Sequence, residues 1–105
     1  ITEIRSNNEF FDFNAKYNGE SDEITPGELS TNEVTDIHKM INTIYDNINL
    51  SGITRSEIIL VDGIPHIIET NTIPGFTKQS IVPQQIKAAG LSIKEIIENQ
   101  IKSLL

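Results

Sequence analysis

The chain of 105 residues has no cysteine and no tryptophan, and aromatic side chains make up only 6% of it. Without cysteine there is no disulfide framework, no thiolate nucleophile and no cysteine-ligated zinc. Such a composition suits a reducing compartment. Basic side chains are also few: 8 Lys and Arg stand against 15 Asp and Glu, for a formal net charge of −7. A nucleic-acid surface needs clustered Lys and Arg, so no nucleic-acid partner is expected. Apolar runs are short, Ile58-Ile59-Leu60-Val61 being typical, far below the roughly 20 residues of a membrane-spanning helix. No basic segment leads into an apolar one at the N-terminus, so no signal peptide is expected.

The hydrophobic share of 37% is mostly isoleucine. The length fits one small domain, which can bury about two-thirds of its unfolded surface and has little to spare. The opening Ile1-Thr2-Glu3-Ile4-Arg5 alternates like the middle of a strand and has no initiator Met. The expectation is a piece of a longer protein.

Residues 6 to 29 are polar and carry Gly19, Pro26 and Gly27, so they read as a long loop, anchored by the rings of Phe10, Phe11 and Phe13. Ser30-Thr31-Asn32-Glu33 is a capping box. Val34, Ile37, Ile41, Ile44 and Ile48 follow it at helical spacing, which predicts an amphipathic helix from about 31 to 48. His38 lies off that stripe and reads as a surface residue, since no second ligand sits at metal spacing. Residues 53–61 and 64–70 read as strands joined at Asp62-Gly63. A short helix is expected over 82–89, stopped by Gly90, and Ser92 to Glu95 form a second capping box before a helix striped by Ile93, Ile96, Ile97, Ile101 and Leu104.

The hairpin carries the chemistry. Arg55 and Glu57 share one face of its first strand, and Glu69 and Asn71 share one face of the second. A two-residue turn at Asp62-Gly63 would set Ser56 opposite Glu69 and point the carboxylates to opposite faces. A three-residue turn would set Arg55 opposite Glu69, with Glu57 as its diagonal neighbour, and gather all four side chains. Two carboxylates and an amide oxygen would suit Mg²⁺, which takes few carboxylates plus waters and phosphates. Arg55 would then stabilise an anionic intermediate; a surface cross-strand ion pair is the plain alternative. Further on, Gly75 allows close backbone approach, and Ser80 can cap the following helix, whose N-terminus suits an anion. Lys16, beside Tyr17, is a candidate phosphate-directed charge.

Together these stretches resemble the C-terminal part of the D-alanine–D-alanine ligases, an ATP-grasp family. Residues 9–17 resemble its E-F-Y-D-Y-x-A-K-Y loop, and Arg55-Ser56-Glu57 sits where the family has R-x-D. Residues 69–80 resemble E-x-N-T-x-P-G-[FM]-T-x-x-S, and Ala88-Ala89-Gly90 matches the segment before the last helix. The resemblance covers essentially residues 1–105 and implies an α+β fold, an antiparallel sheet with packed helices. It implies that Glu57, Glu69 and Asn71 hold two Mg²⁺ (Mn²⁺ can stand in) against ATP phosphates. Arg55 and the Gly75 N–H would stabilise the acyl-phosphate and the tetrahedral intermediate. Ser80 and the Ile81 backbone would hold the carboxylate of a second D-alanine. Lys16 would reach the phosphates from a closing loop that Tyr17 helps latch, a loop that favours an amine acceptor.

The implied partners are ATP, D-alanine and the protein's own N-terminal and central domains, in a cytoplasmic enzyme of peptidoglycan synthesis, commonly a homodimer. Residues 1–105 alone should then be inactive. Two departures stand out: Glu57 replaces the usual Asp, and the hairpin turn is one residue shorter than usual. The alternatives are another ATP-grasp carboxylate–amine ligase, or a non-catalytic acidic module that binds Mg²⁺ or a partner.

Overall fold

The computed structural model describes residues 1–6 and 21–105. The readings placed on Phe10, Phe11, Phe13, Lys16 and Tyr17 lie outside those residues.

Strand β1 (Glu3–Ser6) pairs antiparallel with β2 (Ser21–Ile24), setting Glu3 opposite Ile24 and Arg5 opposite Asp22. β2 corrects the expectation of loop throughout 6–29. Three of its four residues are polar, so it carries almost no hydrophobic alternation to read. The ladder continues instead into polar contacts at its foot: Thr2 Oγ1 lies 2.6 Å from Thr25 Oγ1, and the Gly27 N–H donates to the Ile1 carbonyl at 2.9 Å. Arg5 donates to Glu28 at 2.9 Å and to Glu3 at 3.2 Å, an exposed network of modest worth.

Helix α1 (Thr31–Asn47) starts at the expected capping box. The Glu33 N–H donates to Ser30 Oγ at 3.1 Å, and the Ser30 N–H donates to Glu33 Oε1 at 2.9 Å. The Ser30 backbone N–H, and after it the Ser30 hydroxyl, hold the Glu33 carboxyl below the usual carboxylate range. Ile37 is buried, Val34, Ile41 and Ile44 are half-buried, and His38 is exposed as expected. This apolar stripe lets α1 pack on the second hairpin, against β4.

β3 (Arg55–Val61) and β4 (Ile64–Asn71) form that hairpin. It is a second two-stranded sheet, separate from β1–β2, where the sequence suggested one sheet. Two short helices follow, α2 (Ile81–Ala88) and α3 (Ile93–Ser103). α3 starts at the second capping box, where the Ser92 backbone lowers the Glu95 carboxyl in the same way. Among the described residues the buried apolar side chains are Ile37 on α1 and Val82 and Ile86 on α2. On the α3 stripe Ile93, Ile97 and Ile101 are exposed, as are Ile59, Val61 and Ile64 on the hairpin.

Candidate active site

The β3–β4 turn has two residues. Asp62 (φ 51°) and Gly63 (φ 77°) both take the left-handed conformation, as a type I′ turn requires and as an Asp-Gly pair tolerates. Val61 therefore faces Ile64, Leu60 faces Pro65, and Ile58 faces Ile67. An uninterrupted ladder would next set Ser56 against Glu69 and split the carboxylates between faces. It does not, because the register shifts between Glu57 and Ile58. Ile68 is the extra residue on β4, a β-bulge, and beyond it Glu57 faces Glu69, Ser56 faces Thr70 and Arg55 faces Asn71.

The three-residue turn is thus corrected, and so are its pairings. Glu57, not Arg55, lies directly opposite Glu69. The gathering of Arg55, Glu57, Glu69 and Asn71 on one face holds, by a different device. On the other face Ser56 Oγ and Thr70 Oγ1 are 2.9 Å apart, a polar cross-strand pair that fixes the same register.

Within the cluster, Arg55 Nη2 donates to Glu57 Oε1 at 3.1 Å, and the two side chains keep only 20% and 16% of their exposure. This shielding sets the pair apart from an ordinary surface bridge. Arg55 Nε is buried and has no hydrogen-bond partner among the described residues. Asn71 Oδ1 accepts from the Ile73 N–H at 3.0 Å, closing an Asx turn that carries the chain out of β4. Like charges set directly opposite on neighbouring strands repel, so the Glu57–Glu69 pairing suits a bound cation. Two carboxylates and an amide are also the donor chemistry of a hard divalent ion such as Mg²⁺, which retains waters and phosphate oxygens. The residues fit that group. Among the described residues no group of three or more acidic or histidine side chains is placed to hold a metal ion.

The second part of the site follows in the loop from β4 to α2. Gly75 lies against Ser80: a Cβ built on Gly75 would stand 2.9 Å from Ser80 Oγ. Ser80 occupies the N-cap position of α2, but its side chain caps nothing. A cap oxygen ordinarily accepts from the N–H of the second or third helical residue, and the third is Pro83, which has no N–H. Ser80 Oγ turns back instead to Thr77, accepting from its N–H at 3.1 Å and lying 2.8 Å from its Oγ1. The expected cap is therefore corrected, and Pro83 was the signal that could have warned of it. Ile81 is the first residue of α2, where backbone N–H groups lack intrahelical partners. Thr77 is the site residue to which sequence reasoning gave no role; its T-x-x-S spacing is the signal.

A hairpin that lines up acidic and amide oxygens beside an arginine, leading through a Pro-Gly loop to a helix start, defines the class: the α+β C-terminal part of an ATP-grasp domain. Residues 1–102 match the family described as D-ala D-ala ligase C-terminus, and the chain belongs to that family. It is 45% identical over 102 residues to a D-alanine–D-alanine ligase of Flavobacterium johnsoniae, covering 97% of this chain and 32% of that protein. With a D-alanine–D-alanine ligase of Parabacteroides distasonis the identity is 47%, over 98% of this chain and 33% of the relative. The crystal structure of the Bacillus anthracis D-alanine–D-alanine ligase superposes with a TM-score of 0.77 at 32% identity, over 96% of this chain and 34% of that one. The same enzyme complexed with ATP gives a TM-score of 0.77 at 28% identity, over 96% of this chain and 32% of that one. The chain thus spans about a third of the length of the relatives it matches.

Proposed function

We propose that residues 1–105 form the C-terminal ATP-grasp part of an ATP-dependent D-alanine–D-alanine ligase. The observation that carries this reading is the bulge at Ile68, which sets Glu57 opposite Glu69 beside Arg55 and Asn71 in a chain of this family. One D-alanine carboxylate is phosphorylated by ATP, and the acyl-phosphate is then attacked by the amine of a second D-alanine, releasing phosphate.

Glu57, Glu69 and Asn71 would hold Mg²⁺, which supplies charge neutralisation for the ATP phosphates. Glu57 carries one methylene more than the usual Asp, a reach longer by about 1.5 Å, and its carboxylate accepts from Arg55. Arg55 keeps a fixed positive charge next to the reacting carboxyl. The Gly75 N–H donates to the tetrahedral intermediate, and Ser80 Oγ with the Ile81 N–H holds the carboxylate of the acceptor D-alanine. Lys16 and Tyr17, outside the described residues, belong to the same reading as the phosphate-directed charge and its latch. The parent is read as a cytoplasmic homodimer acting in peptidoglycan synthesis. Among the described residues no helix is long and apolar enough to cross a membrane. The exposed isoleucines of the hairpin and α3 fit contact with N-terminal and central domains, and residues 1–105 alone should be inactive.

The test is ADP release by the full-length protein with Mg²⁺ and D-alanine, for wild type and Glu57→Gln. D-alanine-dependent turnover that falls at least about a hundredfold in the variant supports both the reaction and the metal role. Turnover unaffected by the variant removes Glu57 from the site. No turnover with D-alanine overturns the ligase reading.

A further inference from the structure

Thr77 and Ser80 are joined three times. The Ser80 N–H donates to the Thr77 carbonyl at 2.9 Å, closing the turn through Lys78 and Gln79. In return the Thr77 N–H reaches Ser80 Oγ at 3.1 Å, and the two hydroxyl oxygens lie 2.8 Å apart. A serine hydroxyl has one proton to give and two lone pairs to offer. The Thr77 N–H takes one lone pair. If the Thr77 hydroxyl donates to the other, Ser80 has only its proton left, and that proton must point away from the loop. Pro83 removes one of the two N–H groups that an N-cap oxygen ordinarily serves, and Ser80 Oγ makes no bond to the helix end. Gly75 leaves room for the hydroxyl in this orientation, since any Cβ there would stand 2.9 Å from it.

We infer that Thr77 is a positioning residue for the acceptor amino acid: its N–H and hydroxyl both donate to Ser80 Oγ and so make Ser80 a dedicated hydrogen-bond donor to a carboxylate. An isolated serine hydroxyl must be turned into this state when the anion arrives. Here the turn has done so beforehand, and a charge-assisted bond gains most from such fixed geometry. The inference rests on the reading of Ser80 given above and adds Thr77 to it.

The test uses the full-length protein and separates the Michaelis constants for donor and acceptor D-alanine. Thr77→Val keeps the β-branched shape and the backbone N–H but deletes the hydroxyl. It should raise the acceptor KM about tenfold, the loss expected from weakening one hydrogen bond to a charged group, while kcat and the KM for ATP stay within about threefold. Thr77→Ser restores the hydroxyl and should restore the acceptor KM. An acceptor KM within about twofold of wild type in Thr77→Val, or a Thr77→Ser as impaired as Thr77→Val, refutes the role. Should Thr77→Val fail to fold, Thr77→Ala carries the same comparison. Ser80→Ala distinguishes the two levels: a raised acceptor KM there with normal values in Thr77→Val sinks the Thr77 inference alone. A normal acceptor KM in Ser80→Ala overturns the assignment of Ser80 and, with it, the part given to Thr77.

Discussion

Gly75→Ala should destabilise the protein in its native background and stabilise it once Ser80 is also alanine. The new Cβ would stand 2.9 Å from Ser80 Oγ and 3.5 Å from Ser80 Cβ. The first distance is a clash and the second an ordinary contact. Ser80 Oγ cannot retreat without giving up the 3.1 Å bond from the Thr77 N–H and the 2.8 Å contact with the Thr77 hydroxyl. At about 1 kcal/mol net for each, the loss is about 2 kcal/mol. Against this, Gly75 is outside the left-handed region, so alanine costs no backbone strain. Restricting the unfolded chain at such a position returns about 0.4–1 kcal/mol. Gly75→Ala should therefore cost about 1–1.5 kcal/mol beside serine and gain about 0.4–1 kcal/mol beside alanine. The assay is urea unfolding of wild type, both single variants and the double variant. Additivity within about 0.5 kcal/mol would refute the argument, and would mean that the glycine is kept for something other than room for the Ser80 hydroxyl.

Removing one isoleucine from Ile67-Ile68 should leave D-alanine-dependent ADP release within about tenfold of wild type, because deleting the bulge residue leaves Glu57 opposite Glu69 in a regular ladder. Loss of turnover by a folded deletion variant would show that the register is not as described. The capping glutamates give a pH dependence. Glu33 and Glu95 titrate below the ordinary carboxylate range because the Ser30 and Ser92 backbone N–H groups favour their charged forms. Their contribution is thus present above the unfolded-state value, about 4.3, and is lost as pH falls through the lower folded-state values. The urea midpoint of Glu33→Gln/Glu95→Gln should lie below wild type at pH 7 and converge on it under acid; a gap that widens on acidification would contradict the assignment.

What the sequence could disclose was local. Both capping boxes, the α1 stripe and the exposure of His38 depend on residues within a few positions of one another, and they stand in the structure as read. β2 was hidden because Ser21-Asp22-Glu23-Ile24 offers one apolar side chain and its partner lies beyond residues 7–20. Ser80 misled because serine before a helix ordinarily caps it, whereas here Pro83 takes away the third helical N–H and Ser80 Oγ bonds Thr77 instead. The α3 stripe stands as a pattern, and its exposure agrees with the limit of periodicity, which shows which side chains share a face and not what covers that face.

The bulge was illegible for a more instructive reason. In a hairpin with one buried face, alternation pins the register, since a slip of one residue exposes the core. Here Ile58-Ile59-Leu60-Val61 and Ile67-Ile68 are apolar at consecutive positions, so that half of the hairpin tolerates either register and offers no signal. The turn is equally indifferent to the pairing further along the strands: Asp62-Gly63 takes the two-residue geometry that suits its own dihedrals. Only the polar end discriminates. There Ser56 must meet Thr70 on one face, and Arg55 and Glu57 must meet Asn71 and Glu69 on the other. Turn and polar end are out of step by one residue, and the mismatch has to be absorbed between them. It falls at the boundary, between Ile58 and Glu57, where the apolar segment ends and the carboxylates begin. The extra residue is Ile68, which is 57% exposed. A bulge placed there costs little packing and leaves the Asp-Gly turn its preferred shape.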